Sequence, residues 1–97
     1  MNELLGKLEA EAPISSGDEE GKISLHEKGL VYDGPGVNGK IYSLYSYVEK
    51  VEALEDLQLG KVRVRMVFFS TLGERFDLKF VINEHFLHEL KERKGRV

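Results

Sequence analysis

One stretch of the sequence resembles a phosphate-binding loop. Residues 34–40, Gly-Pro-Gly-Val-Asn-Gly-Lys, match the pattern G-x-x-x-x-G-K, in which backbone N–H groups and the lysine bind nucleotide phosphates. The next residue is Ile41, where magnesium binding requires Ser or Thr, and residues 40–44 have the pattern of a strand rather than of the helix that must follow. A chain of 97 residues also leaves no room for the parallel βαβ core. We therefore interpret residues 34–40 as a turn between two strands.

Two histidines and a glutamate lie close together near the C-terminus. His85, His88 and Glu89 are three and four residues apart, so two of them could bind one metal ion from the same face of a helix. A zinc site needs three or four ligands, and His26 is the only other imidazole. A solvated helix face explains these residues more simply. We predict no metal and no other cofactor.

Catalytic groups are also hard to assemble from this sequence. Ser43, Ser46 and Ser70 have no recognisable His and Asp partners, and the carboxylates are scattered among bases. The chain has no cysteine, which excludes disulfides, thiolate metal sites and cysteine nucleophiles. We expect a protein that binds rather than one that catalyses a reaction.

The charges are unevenly distributed along the chain. Of the 17 acidic and 14 basic residues, six acids and one base lie in residues 1–21, which leaves 11 acids and 13 bases for the rest. The net charge of −3 argues against a nucleic-acid binder, because such proteins normally have a strongly basic face. The N-terminus has no basic region of a signal peptide, and the lack of cysteine fits a reducing compartment, so we expect a cytoplasmic protein. The high charge and scarcity of Asn and Gln resemble thermophile proteins.

The hydrophobic pattern changes twice along the chain. Leucines at positions 4, 5 and 8 predict a short N-terminal helix over residues 2–11, followed by an acidic linker to residue 20. Alternating residues from position 22 onward predict about six to seven antiparallel strands, and Asn83 predicts the N-cap of a C-terminal helix. The predicted fold is α+β: a strongly bent antiparallel sheet, or a partly open barrel, over residues 21–97 with the C-terminal helix as its cap.

The clearest pair of strands is residues 61–66 with residues 75–80. Matching their apolar positions places Met66 opposite Phe76 and Val64 opposite Leu78. The same register predicts a three-residue loop, Ser70 to Leu72, and sets Arg65 across from Asp77 on the outer face.

The sequence contains, in this order, the segments GKISLHEKGLVYDG, KIYSL, YVEKVEAL, KVRVRMVFF, ERFDLKFVI and NEHFLHELKERK. Their order and hydrophobic spacing resemble a pleckstrin-homology-like (PH-like) domain, and are similar to its GRAM and bacterial branches. The resemblance covers about residues 21–95 and implies a binding module whose C-terminal helix plugs one end of a curved sheet. The family often binds phosphoinositides or proteins, and some members self-associate. Phosphoinositide binders usually carry several cations at the first hairpin turn, where this chain has His26, Glu27 and Lys28.

Two surfaces of the predicted sheet are candidates for binding. The first is apolar and consists of Val67, Phe69, Tyr42, Tyr45 and Tyr47, which are equally explained by packing under the N-terminal helix. The second is basic and consists of Lys61, Arg63, Arg65, Arg75 and Lys79, which a solvated sheet face explains more simply. We predict a protein-interaction module of adaptor type, whose partner is a protein or a second copy of the chain. The alternative function is binding to acidic membrane lipid.

Overall fold

The computed structural model of the protein describes residues 4–95. Seven strands form one antiparallel sheet in the order β4-β3-β2-β1-β7-β6-β5, which is open between β4 and β5. The predicted combination of about seven antiparallel strands with a C-terminal helix is therefore confirmed. The elements in chain order are β1 (Leu8–Ser16), β2 (Glu19–His26), β3 (Gly29–Asp33), β4 (Ile41–Leu44), a 3₁₀ turn (Tyr45–Tyr47), β5 (Val48–Asp56), β6 (Lys61–Phe69), β7 (Arg75–Asn83) and α1 (Glu84–Gly95).

The predicted N-terminal helix is wrong. Residues 2 and 3 of the prediction lie outside the described part of the chain, and the remainder forms a turn followed by β1. Ala12 and Ile14 of β1 are buried, whereas Glu9 and Glu11 are exposed, so this segment alternates with the period of a strand. β1 lies in the middle of the sheet between β2 and β7. Pairing on both sides outweighs the helix propensity of its Leu, Glu and Ala residues.

The predicted acidic linker is also part of the sheet. Ser16 pairs with Glu19, so β1 and β2 are joined by the two residues Gly17 and Asp18. Gly17 has a φ of 60°, a left-handed conformation that glycine adopts readily at the first position of a two-residue hairpin loop. The sheet therefore begins at Leu8 rather than at residue 21.

The hairpin of β6 and β7 exists, but the predicted register is wrong by two residues. Met66 pairs with Leu78 and Val64 with Phe80, and the loop is five residues long, Ser70 to Glu74. A shift of two residues leaves every side chain on its predicted face, because the side-chain period of a strand is also two. The apolar pattern therefore identified the buried face without fixing the register.

The core lies between the inner face of the sheet and α1. Three aromatic rings meet there: Tyr32 lies 5.7 Å from Phe80 and 6.2 Å from Phe68, measured between ring centroids. The Tyr32 hydroxyl donates a hydrogen bond of 2.7 Å to the carbonyl oxygen of Pro35, which satisfies a buried polar group. Burial raises the pKa of Tyr32, and the nearby charge of Glu19 adds to this effect.

The C-terminal helix begins where the sequence predicts. The Asn83 side chain accepts a hydrogen bond of 2.7 Å from the backbone N–H of His85, as an N-cap residue does. Phe86, Leu87 and Leu90 of α1 are buried in the core. None of the helices within residues 4–95 is long and apolar enough to cross a membrane.

Candidate functional site

An open depression of about 480 Å³ lies beside the β6–β7 loop. Two of the five residues of the predicted apolar surface line it: Tyr47 from the 3₁₀ turn and Phe69 from the end of β6. Tyr47 is exposed and Phe69 is half-buried. The other lining residues are Ser46, Glu49, Ser70, Thr71 and Gly73. We call this site the apolar depression.

Strand β4 fixes the position of the β6–β7 loop. The Ser43 hydroxyl donates a hydrogen bond of 2.7 Å to the carbonyl oxygen of Phe69, and the N–H of Thr71 donates one of 2.8 Å to the carbonyl oxygen of Tyr42. Gly29 of β3 allows β4 to lie this close, because a Cβ atom at Gly29 would collide with the carbonyl oxygen of Ser43. The side of the apolar depression formed by the end of β6 and the β6–β7 loop is therefore held by hydrogen bonds to strand β4.

The β6–β7 loop is also ordered internally. The Ser70 hydroxyl accepts hydrogen bonds from the N–H groups of Leu72 and Glu74, at 3.1 and 3.2 Å. The Ser70 backbone N–H donates to the carbonyl oxygen of Glu74 at 2.8 Å, and Gly73 has a φ of 90°. In this arrangement Leu72 points away from the protein and is 86% exposed, although both its neighbours line the apolar depression. The loop thus presents a leucine from a fixed backbone.

The structure divides the predicted apolar surface into three parts. Tyr45 and Val67 are only 3% exposed, so they belong to the interior and not to a contact surface, which corrects their assignment. Tyr45 turns inward from the 3₁₀ turn, and Val67 is enclosed although it lies on the face of β6 that the sequence predicts to be solvated. Tyr42 is exposed, but its ring lines a different depression on the outer face of β1–β4. Only Tyr47 and Phe69 come together.

The predicted basic surface is largely neutralised by carboxylates of the same sheet. Arg65 hydrogen-bonds to both oxygens of Asp77 at 2.8 and 2.5 Å, although Lys79 is its direct cross-strand partner. These hydrogen bonds lower the pKa of Asp77 and raise that of Arg65. Lys61 and Lys79 have no carboxylate within ion-pair distance among residues 4–95. The other ion pairs of the basic surface join Arg65 to Glu52 at 3.7 Å, Arg63 to Glu55 at 3.2 Å and Arg75 to Glu49 at 3.9 Å.

A larger depression of about 740 Å³ lies where the β1–β2 hairpin and the β3–β4 loop face strands β5–β7. Its polar wall includes Arg65, Asp77 and Glu52, whose charges are already paired with one another, and also Lys79 and Glu19. An anion entering this depression would meet three carboxylates beside the two cations. The charge arrangement therefore does not favour a phosphate or another anionic ligand.

A cluster of charged groups joins α1 to β1 and β2. Arg93 donates to Glu9 at 2.6 Å and to Glu89 at 2.8 Å, and it also reaches the carbonyl oxygen of His26 at 3.2 Å. The hydroxyl of Tyr45 donates to the same carbonyl oxygen at 2.6 Å. These groups are hydrogen-bonded to one another, so the cluster links α1 to the sheet.

The residues that resemble catalytic or metal-binding motifs have structural roles or are exposed. Residues 34–40 connect β3 to β4, so their interpretation as an inter-strand turn is confirmed. His85 and His88 are exposed on α1, and Glu89 is paired with Arg93. In the part of the chain that the structure describes, no three His, Cys, Asp or Glu side chains are arranged to hold a metal ion.

We did not predict from the sequence that Leu72 is strongly exposed or that Arg93 is partly buried. Leu72 lies in a loop of Ser, Thr and Gly, where an apolar side chain has no core to enter; that mismatch was a usable signal. Arg93 carried no such signal, because its partner Glu9 is 84 positions away.

Comparison of this chain with protein-family models, with curated proteins and with solved structures finds no significant match.

Proposed function

We propose that the chain is a non-enzymatic protein-interaction module with a PH-like fold, and that it binds its partner at the apolar depression. The observation that carries the proposal is that Tyr47 and Phe69 line one depression, with the 86% exposed Leu72 between two of its lining residues. Exposed aromatic and leucine side chains clustered at one site are typical of protein contact surfaces. The proposal includes the cytoplasm as the site of action.

The PH-like part of the proposal is supported by the order of the elements. Four strands, β1–β4, form one antiparallel run and three strands, β5–β7, form a second, with the C-terminal helix following directly. A C-terminal helix directly after the last strand pair is what the resemblance implies, whereas β1 lies before residues 21–95, which carry it. The non-enzymatic part is supported by the serines, because the hydroxyl of Ser43 is bonded to a carbonyl oxygen and that of Ser70 to two N–H groups.

A protein partner is favoured over acidic lipid by the charges of the sheet. Arg63, Arg65 and Arg75 each have a carboxylate partner, so a phosphate headgroup must compete with an existing ion pair at each of them. Lipid headgroup binding requires several cations that are free to act together.

The proposal is tested by capture from a lysate of the source organism. Wild-type protein, the Tyr47→Asp variant and the Leu59→Asp variant are immobilised, and the bound proteins are compared by quantitative mass spectrometry. Leu59 is 94% exposed on the β5–β6 turn and is a matched control, since it lies at the other end of β6. We expect specific partners on wild type and Leu59→Asp that are lost on Tyr47→Asp, with unchanged thermal midpoints.

Two results would contradict the proposal. Identical sets of proteins on all three surfaces would show that the apolar depression binds no partner. Co-sedimentation of the wild-type chain with anionic vesicles, lost in a Lys61→Ala, Lys79→Ala double variant, would establish lipid binding at the basic surface instead.

A further inference from the structure

We propose that the partner at the apolar depression is a second copy of this chain, in a two-fold dimer in which each Leu72 enters the depression of the other copy. The inference rests on the proposed function, because it assigns a partner to the same site. The projecting leucine and the depression that needs an apolar guest lie on the same surface, only a few residues apart.

Leu72 does not fill the depression of its own copy. It is 86% exposed and does not line the site, although Thr71 and Gly73 on either side of it do. The hydrogen bonds of Ser70 and the anchor between Thr71 and Tyr42 hold the loop in this form. Such a loop loses little conformational freedom on association.

The surface around the apolar depression meets the requirement of a two-fold symmetric interface. In a two-fold interface the same patch is used twice, so a residue that projects from the patch must meet a recess in that same patch. Leu72 and the recess formed by Tyr47 and Phe69 meet this condition. A depression of about 480 Å³ can take a leucine side chain together with part of its loop.

Side chains of both charges lie at the rim of the apolar depression. Glu49 lines the apolar depression, and Arg75 directly follows the β6–β7 loop. Their side chains are about half exposed and only 3.9 Å apart, a weak pair within one copy. Because the rim carries both signs, Arg75 of each copy can pair with Glu49 of the other.

The first test is the mass of the protein in solution. Wild type, Leu72→Asp and Leu59→Asp are measured by sedimentation equilibrium at concentrations up to about 1 mM, which detects association down to the millimolar range. Leu59 has a φ of 62°, a conformation that Asp tolerates, so the control variant is not expected to lose stability. We expect dimers for wild type and Leu59→Asp, and a dissociation constant about thirtyfold higher or more for Leu72→Asp, as on losing an interface hot spot.

The second test exchanges the rim charges. Glu49→Arg and Arg75→Glu each place like charges across the two-fold axis, so each variant alone is expected to dimerise more weakly than wild type. An equimolar mixture of the two restores both opposite-charge pairs, and we expect it to form the heterodimer. A mixture that associates no better than its components overturns the proposed geometry.

Failure of this inference is distinguishable from failure of the proposed function. A wild-type chain that stays monomeric at all concentrations, together with lysate proteins lost on Tyr47→Asp, rejects the dimer and retains the interaction module. A wild-type dimer that Leu72→Asp leaves intact also rejects the inference, because its interface then lies elsewhere. A monomeric chain with no Tyr47-dependent partner rejects both.

Discussion

Two arginines of this protein make the same kind of contact in different surroundings. Each guanidinium pairs with two carboxylates, yet the side chain of Arg65 is 32% exposed and that of Arg93 only 11%. Arg65 connects neighbouring strands, whereas Arg93 connects the last helix to the first strand. The carboxylate partners are Glu52 and Asp77 for Arg65, and Glu9 and Glu89 for Arg93.

The difference between the two sites is the availability of water. Water can solvate Arg65 and its partners when the ion pairs break, so their net contribution to folding is small. At Arg93, burial acts to lower the pKa of the guanidinium, but hydrogen bonds to Glu9, Tyr45 and Glu89 outweigh it and raise the pKa. The carboxylate partners of the two arginines are about equally exposed, so the difference lies in the guanidinium itself. Hydrogen bonds from a charged group that water reaches poorly contribute more to folding than those from a solvated one. Arg93 is therefore expected to contribute more to stability than Arg65.

The largest expected effect is that of Arg93→Ala. We expect the free energy of unfolding to fall by about 1.5–3 kcal/mol, because the variant loses the hydrogen bonds from a poorly solvated guanidinium to Glu9, Glu89 and the carbonyl oxygen of His26. Urea denaturation followed by circular dichroism measures this loss. Lys91→Ala, an exposed cation on the same helix, is the control and is expected to change stability by less than about 0.5 kcal/mol. Equal losses for the two variants would show that burial does not decide the comparison.

A smaller loss is expected for Tyr45→Phe, which removes a hydroxyl that donates to the carbonyl oxygen of His26 and accepts a longer hydrogen bond from Arg93 at 3.3 Å. The hydroxyl donates to the carbonyl oxygen of His26 at 2.6 Å, and its deletion should cost about 1 kcal/mol at pH 7. Burial raises the pKa of Tyr45 above its ordinary value of 10.0. The contribution of the neutral hydroxyl is thus complete below pH 10 and is lost as the pH rises through the pKa of the folded state.

The pH dependence distinguishes this role of Tyr45 from simple packing. Above pH 10, wild type should lose stability more steeply than Tyr45→Phe, since the variant has no hydroxyl to ionise at this position. Parallel stability curves for the two proteins between pH 9 and 11 would contradict the assignment of the hydroxyl to the cluster.

The sequence predicted one of these two arginine sites and not the other. The pair of Arg65 and Asp77 follows from the alternation within a single hairpin, and it forms even though the true register is shifted by two residues. That tolerance has a physical basis: both residues remain on the outer face, and the long arginine side chain reaches a diagonal neighbour. The site of Arg93 depends on where β1 lies in the finished sheet, which no local pattern encodes.

The difference between local patterns and contacts of distant segments also explains why the predicted apolar surface is only partly exposed. Local alternation correctly predicted the buried faces of β6 and the stripe of α1. It could not show that Tyr45 turns inward to meet the carbonyl oxygen of His26, nor that Val67 is covered. Those outcomes depend on contacts between distant segments. The proximity of Tyr47 and Phe69 also arises from tertiary structure, because β5 and β6 pair so that Val48 lies opposite Phe68.

The smallest expected effect is that of Arg65→Ala. Water reaches the guanidinium of Arg65, so we expect the urea midpoint to change less than in Arg93→Ala, and the difference from wild type to disappear in high salt. The hydrogen bonds from Arg65 lower the pKa of Asp77 below its ordinary value of 3.8, so whatever stability this pair adds is present above that pH and is lost as the pH falls further. A loss for Arg65→Ala as large as that for Arg93→Ala, and unaffected by salt, would mean that bidentate geometry rather than burial determines the value of an arginine in this fold.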